Sequence, residues 1–487
     1  QDRYHPLFIA WPAPTDLDDV AEVRYAMDPD RIARLGFAVA HEIDPAAPAV
    51  EGLSADDEQA ARRIAEALMS AERPLVVSGG SLASEAVLDA AGNVARALSQ
   101  RAKKGGLTLI RREANSTGLS LLGGQPVDWA MDELAQGRAD AVVVLENDLY
   151  QRLAAERVNL ALARAEIRIV LDHQRTATAE KASFLLPAAS FAESDGTLVN
   201  LEGRAQRFFQ VYDPVYLRPE TRIRESWRWL HALAANRRGE AASDIHLDAV
   251  VRACADAHPT LAGMISAAPD SSYRIDGLRL AREPHRYSGR TSMRANQNVS
   301  EPQTPQDPDS AFAHSMEGYS GYHEARQQVP FAWAPGWNSP QAWNKFTDEV
   351  GGHLRGGDPG VRLIEPVHGQ GSYSPAACND ETNESTEARG SLRALVLPRL
   401  FGGEETSSRA APIQQRMEQA CLILSPLNAR RLAVKTGDTL KIGEGLALPV
   451  QAAEDWPEGW VGLPAGVAPG LLTGDAVTLD RPARGAS

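Results

Sequence analysis

With 487 residues, 43% of them hydrophobic and 23% charged, the chain is long enough for two to four domains with full apolar cores. Lysine and arginine number 50 against 64 aspartates and glutamates, a formal net charge of −14 that argues against a nucleic-acid partner, whose phosphates need a basic surface. No run of 18 apolar residues reads as a membrane span, and the first residues lack the basic, apolar and small-residue order of a secretory signal.

Residues 1 to 60 read as a mixed α/β lead-in. Trp11, Pro12 and Pro14 open it, and Asp28-Pro29-Asp30 precedes the run Arg31 to Ala40, whose apolar spacing predicts an amphipathic helix. Ser54 is placed to cap a helix running toward Met69, with Glu58 supporting its first turn. Because the sequence starts at Gln1 in what reads as mid-protein text, it is expected to be a C-terminal fragment of something longer.

Residues 61 to 190 read as a parallel-sheet α/β domain. Strands are expected at 74–78, 107–110, 141–145, 167–171 and 183–186, separated by helices through 86–99, 128–136 and 150–164. Near-continuous apolar strands alternating with helices predict a parallel sheet covered on both faces. Functional groups then belong at the carboxyl ends of the strands. Those ends carry Ser78-Gly79-Gly80-Ser81, Glu146-Asn147-Asp148 and Asp172-His173-Gln174.

Residues 191 to 392 are mixed. Gly196 and Gly203 bracket the alternating run Thr197-Leu198-Val199-Asn200-Leu201-Glu202, the pattern of a two-stranded excursion between turns. Thr197, Asn200, Glu202, Arg204 and Gln206 are hydrogen-bonding types beside backbone that glycine leaves uncovered. Such a hairpin can approach a large polar ligand closely, or it is simply a polar hairpin at a domain edge. A helix from Glu225 to Ala235 carries Trp227 and Trp229, and another is expected at 243–256. Tryptophans two apart do not share a helix face, so one is expected in the core and the other against a neighbouring segment. Residues 284–345 are rich in Pro, Asn, Gln and Ser yet carry Tyr319, Tyr322, Trp333, Trp337 and Trp343. A disordered tail is poor in aromatics, so an ordered wrap over another surface is expected there. Residues 366–392 have the composition of a linker.

Residues 393 to 487 read as all-β, with strands at 394–397, 422–424, 439–442, 446–450 and 461–464 and a short helix and turn over 425–438.

The chemistry-bearing constellations are sparse. Ser78-Gly79-Gly80-Ser81 could hold a phosphate at a helix N-terminus or form a bare strand-to-helix turn, and it lacks G-x-G-x-x-G spacing. Asp172-His173 could be an acid–base pair or a histidine bonded to neighbouring backbone, with no nucleophile motif beside it. The other histidines show no metal-ligand spacing, and Glu404-Glu405 reads as solvated loop charge. Cys254, Cys378 and Cys421 are too few for a disulfide framework and suit a reducing compartment. Three widely separated thiols also fall short of the four ligands of an iron–sulfur cluster, and all three are expected to be buried and inert.

The stretch Phe191-Ala192-Glu193 to Gln206 resembles the Phe-Ala-Glu-x-x-Gly-Thr-x-x-Asn-x-Glu-Gly-Arg-x-Gln signature of the molybdopterin oxidoreductase superfamily, in which this hairpin runs beside a pterin. Residues 428–438 are similar to a segment of the small β-barrel that closes those proteins. Within the superfamily, Leu35 to His41, Thr291 to Asn296, Glu301-Pro302, Ser315 to Gly318 and above all the Trp-rich run Pro330 to Phe346 resemble the large iron–sulfur subunits of bacterial respiratory complex I, over nearly the whole chain.

That resemblance implies a doubly wound parallel-sheet domain inserted in a mixed α/β domain, followed by a small C-terminal β-barrel. It implies a scaffolding part of the peripheral-arm subunit that carries electrons from NADH toward quinone, on the cytoplasmic face of the inner membrane without inserting into it. Its partners would be other peripheral-arm subunits, docked through 284–345. Iron–sulfur clusters would lie in an N-terminal part not present here. The matched pterin-edge positions Gly196, Thr197, Asn200, Glu202, Gly203, Arg204 and Gln206 would be inherited scaffold, with no catalytic residue, metal or molybdopterin expected. Two other readings stand beside it. One is the pterin-binding half of a molybdenum or tungsten oxidoreductase such as a formate dehydrogenase relative. The other is a free nucleotide-binding module over 61–190.

Overall fold

The computed structural model describes residues 5–102, 105–241, 244–267, 360–364, 374–378, 391–406, 408–443 and 446–481. The expected wrap at 284–345 and most of the expected linker at 366–392 lie outside them.

Two short parallel strands, β1 (Phe8–Ala10) and β2 (Val23–Tyr25), open the chain and have no counterpart in the sequence reading. Helix α1 (Pro29–Ile43) starts where Asp28 accepts hydrogen bonds from the N–H groups of Asp30 and Arg31, with Pro29 where its missing N–H costs nothing. Helix α2 (Ala55–Ser70) starts at Ser54, whose hydroxyl accepts from the Asp57 N–H at 3.1 Å. Together with α3 (Glu85–Ala102) they bury Leu35, Val39, Ile43, Ala61, Val94 and Leu98 in one core. Gly36 sets the closeness of α1 and α3, since a Cβ there would fall 2.9 Å from that of Ala90.

The five expected strands all form, as β3 (Leu75–Gly79), β4 (Gly106–Ile110), β5 (Ala141–Leu145), β6 (Ile167–Asp172) and β7 (Phe184–Pro187). All pair in parallel, but among the described residues they make two sheets, β3-β4 and β5-β6-β7, where one was expected. Helices α4 (Ser116–Leu122), α5 (Val127–Ala135), α6 (Ala155–Arg164) and α7 (Ala177–Glu180) lie between the strands in sequence. Helices α5 and α6 bury Met131, Leu134, Val158 and Leu162 against Val144 and Val170, on the same side of the sheet. On the other side Val143 and Phe184 are 50% and 60% exposed, while Leu171, at the carboxyl end of β6, is fully buried. Cover on both faces, expected from the apolar strands, is therefore only partial among the described residues, because both packed helices fall on one side and only the Leu171 end of the other is buried.

The glycine-bracketed stretch forms the hairpin β8 (Gly196–Val199) and β9 (Arg204–Phe208), extended by β10 (Val361–Arg362) into a three-stranded antiparallel sheet. Helices α8 (Pro214–Leu217), α9 (Ser226–Arg237) and α10 (Leu247–Ala257) follow, with a 3-10 segment at Pro259–Ser266. Val199, Ala205, Leu247, Val251 and Leu261 form the core beneath the hairpin. Neither tryptophan of α9 is fully buried, against the expectation that one would be core. Both instead donate their indole N–H to backbone carbonyls, Trp227 to Asp195 and Trp229 to Pro187, each under an arginine guanidinium.

The final region is a seven-stranded mixed sheet of β11 (Leu392–Leu397), β12 (Leu422–Leu424), β13 (Thr439–Ile442), β14 (Leu446–Ala452), β15 (Trp460–Pro464), β16 (Ala476–Val477) and β17 (Leu479–Asp480). Its order is β16-β11-β15-β12-β14-β13-β17. The two edge strands are consecutive in sequence, parted only by Thr478, and pair with β11 and β13 respectively. One continuous segment thus sits on both edges, which requires the sheet to curl nearly into closure around Leu422, Leu424, Leu440, Val450, Val461 and Leu463.

Candidate functional site

The seven candidate residues come together on the β8–β9 hairpin. Asn200 closes its turn: its side-chain oxygen accepts from the N–H groups of Glu202 and Arg204, both at 3.0 Å. Its backbone N–H donates to the Arg204 carbonyl, and its carbonyl accepts from the Gly203 N–H. Residues 200–202, read from the sequence as part of an alternating strand, are therefore the turn itself. Gly203 adopts φ +72°, which an L side chain adopts only with strain, and a Cβ there would lie 2.6 Å from the Ile364 Cβ. The Gly203 carbonyl accepts from the Leu363 N–H at 2.7 Å. At Gly196 a Cβ would lie 2.4 Å from the ring of Phe208, its cross-strand partner. Both glycines are thus demanded by this chain's own Phe208 and Ile364.

The remaining members divide by burial. Arg204 is 5% exposed, and its Nε lies 3.5 Å from an oxygen of the exposed Glu202. Thr197 stands opposite Arg207 with its hydroxyl buried and without a hydrogen-bond partner among the described residues. Gln206 is exposed, opposite Leu198.

Several residues that hold this hairpin escape the sequence reading. The Asn115 side chain accepts from the Val199 N–H at 2.8 Å, where an asparagine before α4 would suggest only a helix cap. Arg207 pairs with Asp248 in the first turn of α10 at 2.5 Å. No local pattern announces a partner 41 residues away.

The polar groups at the carboxyl ends of the parallel strands are engaged within the protein. Glu146, at φ +45°, accepts from the Ser226 hydroxyl, and the Asn147 side chain accepts from Arg152. Asp148 accepts from the hydroxyl and N–H of Thr178. Asp172 accepts from the Gln174 N–H at 2.8 Å, with His173 Nδ1 3.5 Å away. A loop of the C-terminal region lies over these ends. Glu405 pairs with Arg152 at 3.3 Å, Gln174 donates to the Thr406 carbonyl, and Arg409 donates to the Arg175 carbonyl. Glu405, read as a solvated loop charge, is instead half-buried. Burial pushes its carboxyl up; Arg152 pulls against this while Asp148 and Asp172 add to it. Residues 78–81, read as a phosphate cradle or a bare strand-to-helix turn, form a turn from β3 toward α3. A Cβ at Gly79 would meet the Ile110 carbonyl at 2.4 Å, and residues Gly80–Leu82 form a 3-10 turn ending in left-handed Ala83. The Ser84 hydroxyl then accepts from the Val87 N–H in the first turn of α3.

Among the described residues no group of three or more His, Cys, Asp or Glu side chains is arranged to hold a metal ion, and no helix is long and apolar enough to cross a membrane. The three cysteines are partly rather than fully buried, and burial pushes the Cys254 and Cys421 thiols up. A raised thiol pKa disfavours the reactive thiolate.

The family model for molybdopterin oxidoreductases matches residues 58–236, the span from α2 through the hairpin to α9. The NADH-quinone oxidoreductase G subunit of Pseudomonas putida is 56% identical over 96% of this chain and 52% of its own length. Its counterpart in Salmonella typhimurium is 50% identical over 97% of this chain, and that in Escherichia coli K12 is 49% identical over 96%. The chain belongs to the family of NADH-quinone oxidoreductase G subunits, and it spans about half the length of the curated relatives it matches. Among solved structures, acetylene hydratase from Pelobacter acetylenicus aligns with 95% of this chain and 66% of that chain at 13% identity and TM-score 0.46.

Proposed function

We propose that this chain is a scaffolding part of a subunit that serves electron transfer from NADH toward quinone in respiratory complex I, with no reaction centre of its own. The observation that carries this reading is the hairpin. Beside a pterin, its glycines would leave open backbone and its polar side chains would face the ligand. Here Phe208 and Ile364 fill the space over Gly196 and Gly203, and Asn200 serves the turn's own N–H groups. The residues present do not fit a pterin edge. In this reading the iron–sulfur clusters belong to the portion of the subunit that this chain does not span. Its partners are neighbouring subunits of the peripheral arm, at the cytoplasmic face of the membrane.

Metal and pterin analysis of the full-length subunit, purified within its complex, tests the proposal. The expected result is molybdenum and tungsten far below one atom per subunit. One atom of either metal with extractable pterin would overturn it in favour of a pterin-binding half of a molybdenum or tungsten oxidoreductase. Docking through residues 284–345 is a separate part of the proposal. Deleting them and finding peripheral-arm assembly unchanged would remove that part alone.

A further inference from the structure

Three segments distant in sequence meet at one guanidinium beyond the carboxyl ends of the parallel strands. Arg152 donates from Nε to the Asn147 side chain, just past β5, at 3.2 Å, and from Nη1 to Glu113, between β4 and α4, at 3.1 Å. Its Nη2 lies 3.3 Å from Glu405, in the loop that follows β11. The same loop is tied to the segment after β6, where Gln174 donates to the Thr406 carbonyl and Arg409 to the Arg175 carbonyl. Ligands of open α/β sheets sit at the carboxyl ends of the strands, the place this loop covers.

The charges at this seam are unequal. Glu405 faces Asp148 and Asp172, which are 4% and 7% exposed. Among the described residues neither aspartate has a lysine or arginine partner; Asp172 has only His173 Nδ1, at 3.5 Å. Arg409 spends its guanidinium on a carbonyl. Arg152 therefore stands against Glu405 and both aspartates besides Glu113. Glu113 is half exposed and can be left to water, whereas the Glu405 side chain is only 28% exposed.

We propose that Arg152 is an electrostatic latch: its guanidinium is the countercharge that lets the ionised Glu405 loop close over the ends of β5 and β6, and without it the loop swings free while the sheet stays folded. Removing the guanidinium leaves a half-buried carboxylate beside two others, a repulsion that the loop relieves by moving into water.

Hydrogen exchange read by mass spectrometry, on the full-length subunit within its complex and at one neutral pH, tests this. Arg152→Ala should speed exchange in the loop that carries Glu405 and Thr406 by about tenfold or more, with β5, β6 and β11 exchanging as in the native protein. Adding Glu405→Gln should bring the loop back to within about threefold of native, because the second change removes the repulsion. Unchanged exchange in Arg152→Ala would overturn the proposal. So would a double variant as open as the single one, since the arginine's packing and hydrogen bonds would then be the cause. If Arg152→Ala alone fails to assemble, assembly of the double variant supports the latch and its failure overturns it. No outcome depends on the metal content of the subunit, so the latch and the scaffold reading fail separately.

Discussion

The ring of Phe208 occupies the space in which a side chain at Gly196 would begin, 2.4 Å from the Cβ position, across the first pair of the hairpin. Gly196 is therefore a packing glycine. Gly196→Ala should destabilise the protein by about 1–3 kcal/mol through overpacking. Adding Phe208→Leu should recover part of that loss, because the two sites share one space. Urea-unfolding midpoints of the single and double variants check this. Full additivity would mean that the ring does not limit position 196.

Asn200 supplies one oxygen to two backbone N–H groups of its own turn. Asn200→Ala should cost about 1–2 kcal/mol, since both donors lose their protein partner. Asn200→Asp keeps an acceptor in place and should stay within about 0.5 kcal/mol of the native protein. Thermal melting of the three proteins separates this from a ligand-facing role, for which the aspartate would not preserve function and stability would be indifferent to either change.

The hairpin is legible in the sequence because glycine, asparagine and alternating side chains act locally. Each of the five parallel strands is legible for the same reason, since Ala141 to Leu145 or Ile167 to Leu171 are apolar runs of strand length. Their partition into two sheets is not, because strand order depends on contacts far apart in sequence. The edge strands β16 and β17 escape because two residues each leave no periodicity to detect. Glu405 shows the same limit at the level of chemistry: beside Glu404 it looks solvated, and only the fold brings Arg152, Asp148 and Asp172 to it. The role of Asn200 is half legible, as a turn residue whose bonds prove to be internal.

Glu405 gives a pH dependence with a defined sign. Burial first, and Asp148 and Asp172 after it, hold its carboxyl above the ordinary 4.5, with Arg152 opposing. The folded state thus binds this proton more tightly than the unfolded chain does. The contribution of the loop is most favourable below 4.5, declines as pH rises through the raised value, and is level above it. Glu405→Gln, neutral throughout, should flatten that decline and be more stable than native at pH 7 by under about 1 kcal/mol. Melting temperatures between about pH 4 and 8, the range that brackets the raised carboxyl, check it. Equal slopes for the two proteins would contradict it.

Arg393 ties the C-terminal sheet to the lead-in. Its guanidinium lies 4.2 Å from the centre of the Trp460 ring and pairs with Asp30, which is 61% exposed. The exposed ion pair is worth little, and the cation–π contact against a 5%-exposed indole is worth more. Arg393→Ala should cost about 1–2 kcal/mol and Asp30→Ala under about 0.5 kcal/mol. Comparable losses in urea unfolding would mean that the carboxylate, rather than the ring, holds the arginine.

Asp148 follows β5 at 4% exposure, and its carboxylate gathers a network. It accepts from the Thr178 hydroxyl at 2.7 Å, from the Thr178 N–H at 3.2 Å and from the Tyr150 N–H at 3.3 Å. The Thr178 oxygen in turn accepts from the Leu149 N–H at 2.8 Å. One carboxylate and one hydroxyl therefore satisfy three buried or half-buried backbone donors and pin the end of the strand to α7. Asp148→Ala should cost about 2–4 kcal/mol, because the donors are left in a place water does not reach. Thr178→Val keeps the shape but strands the Leu149 N–H, and should cost about 1–3 kcal/mol. The double variant should fall short of the sum by about 1 kcal/mol or more, since each single change already breaks the bond the two residues share. Additive losses would mean that Asp148 and Thr178 act independently, leaving a carboxylate at a strand end with no structural reason to be buried there.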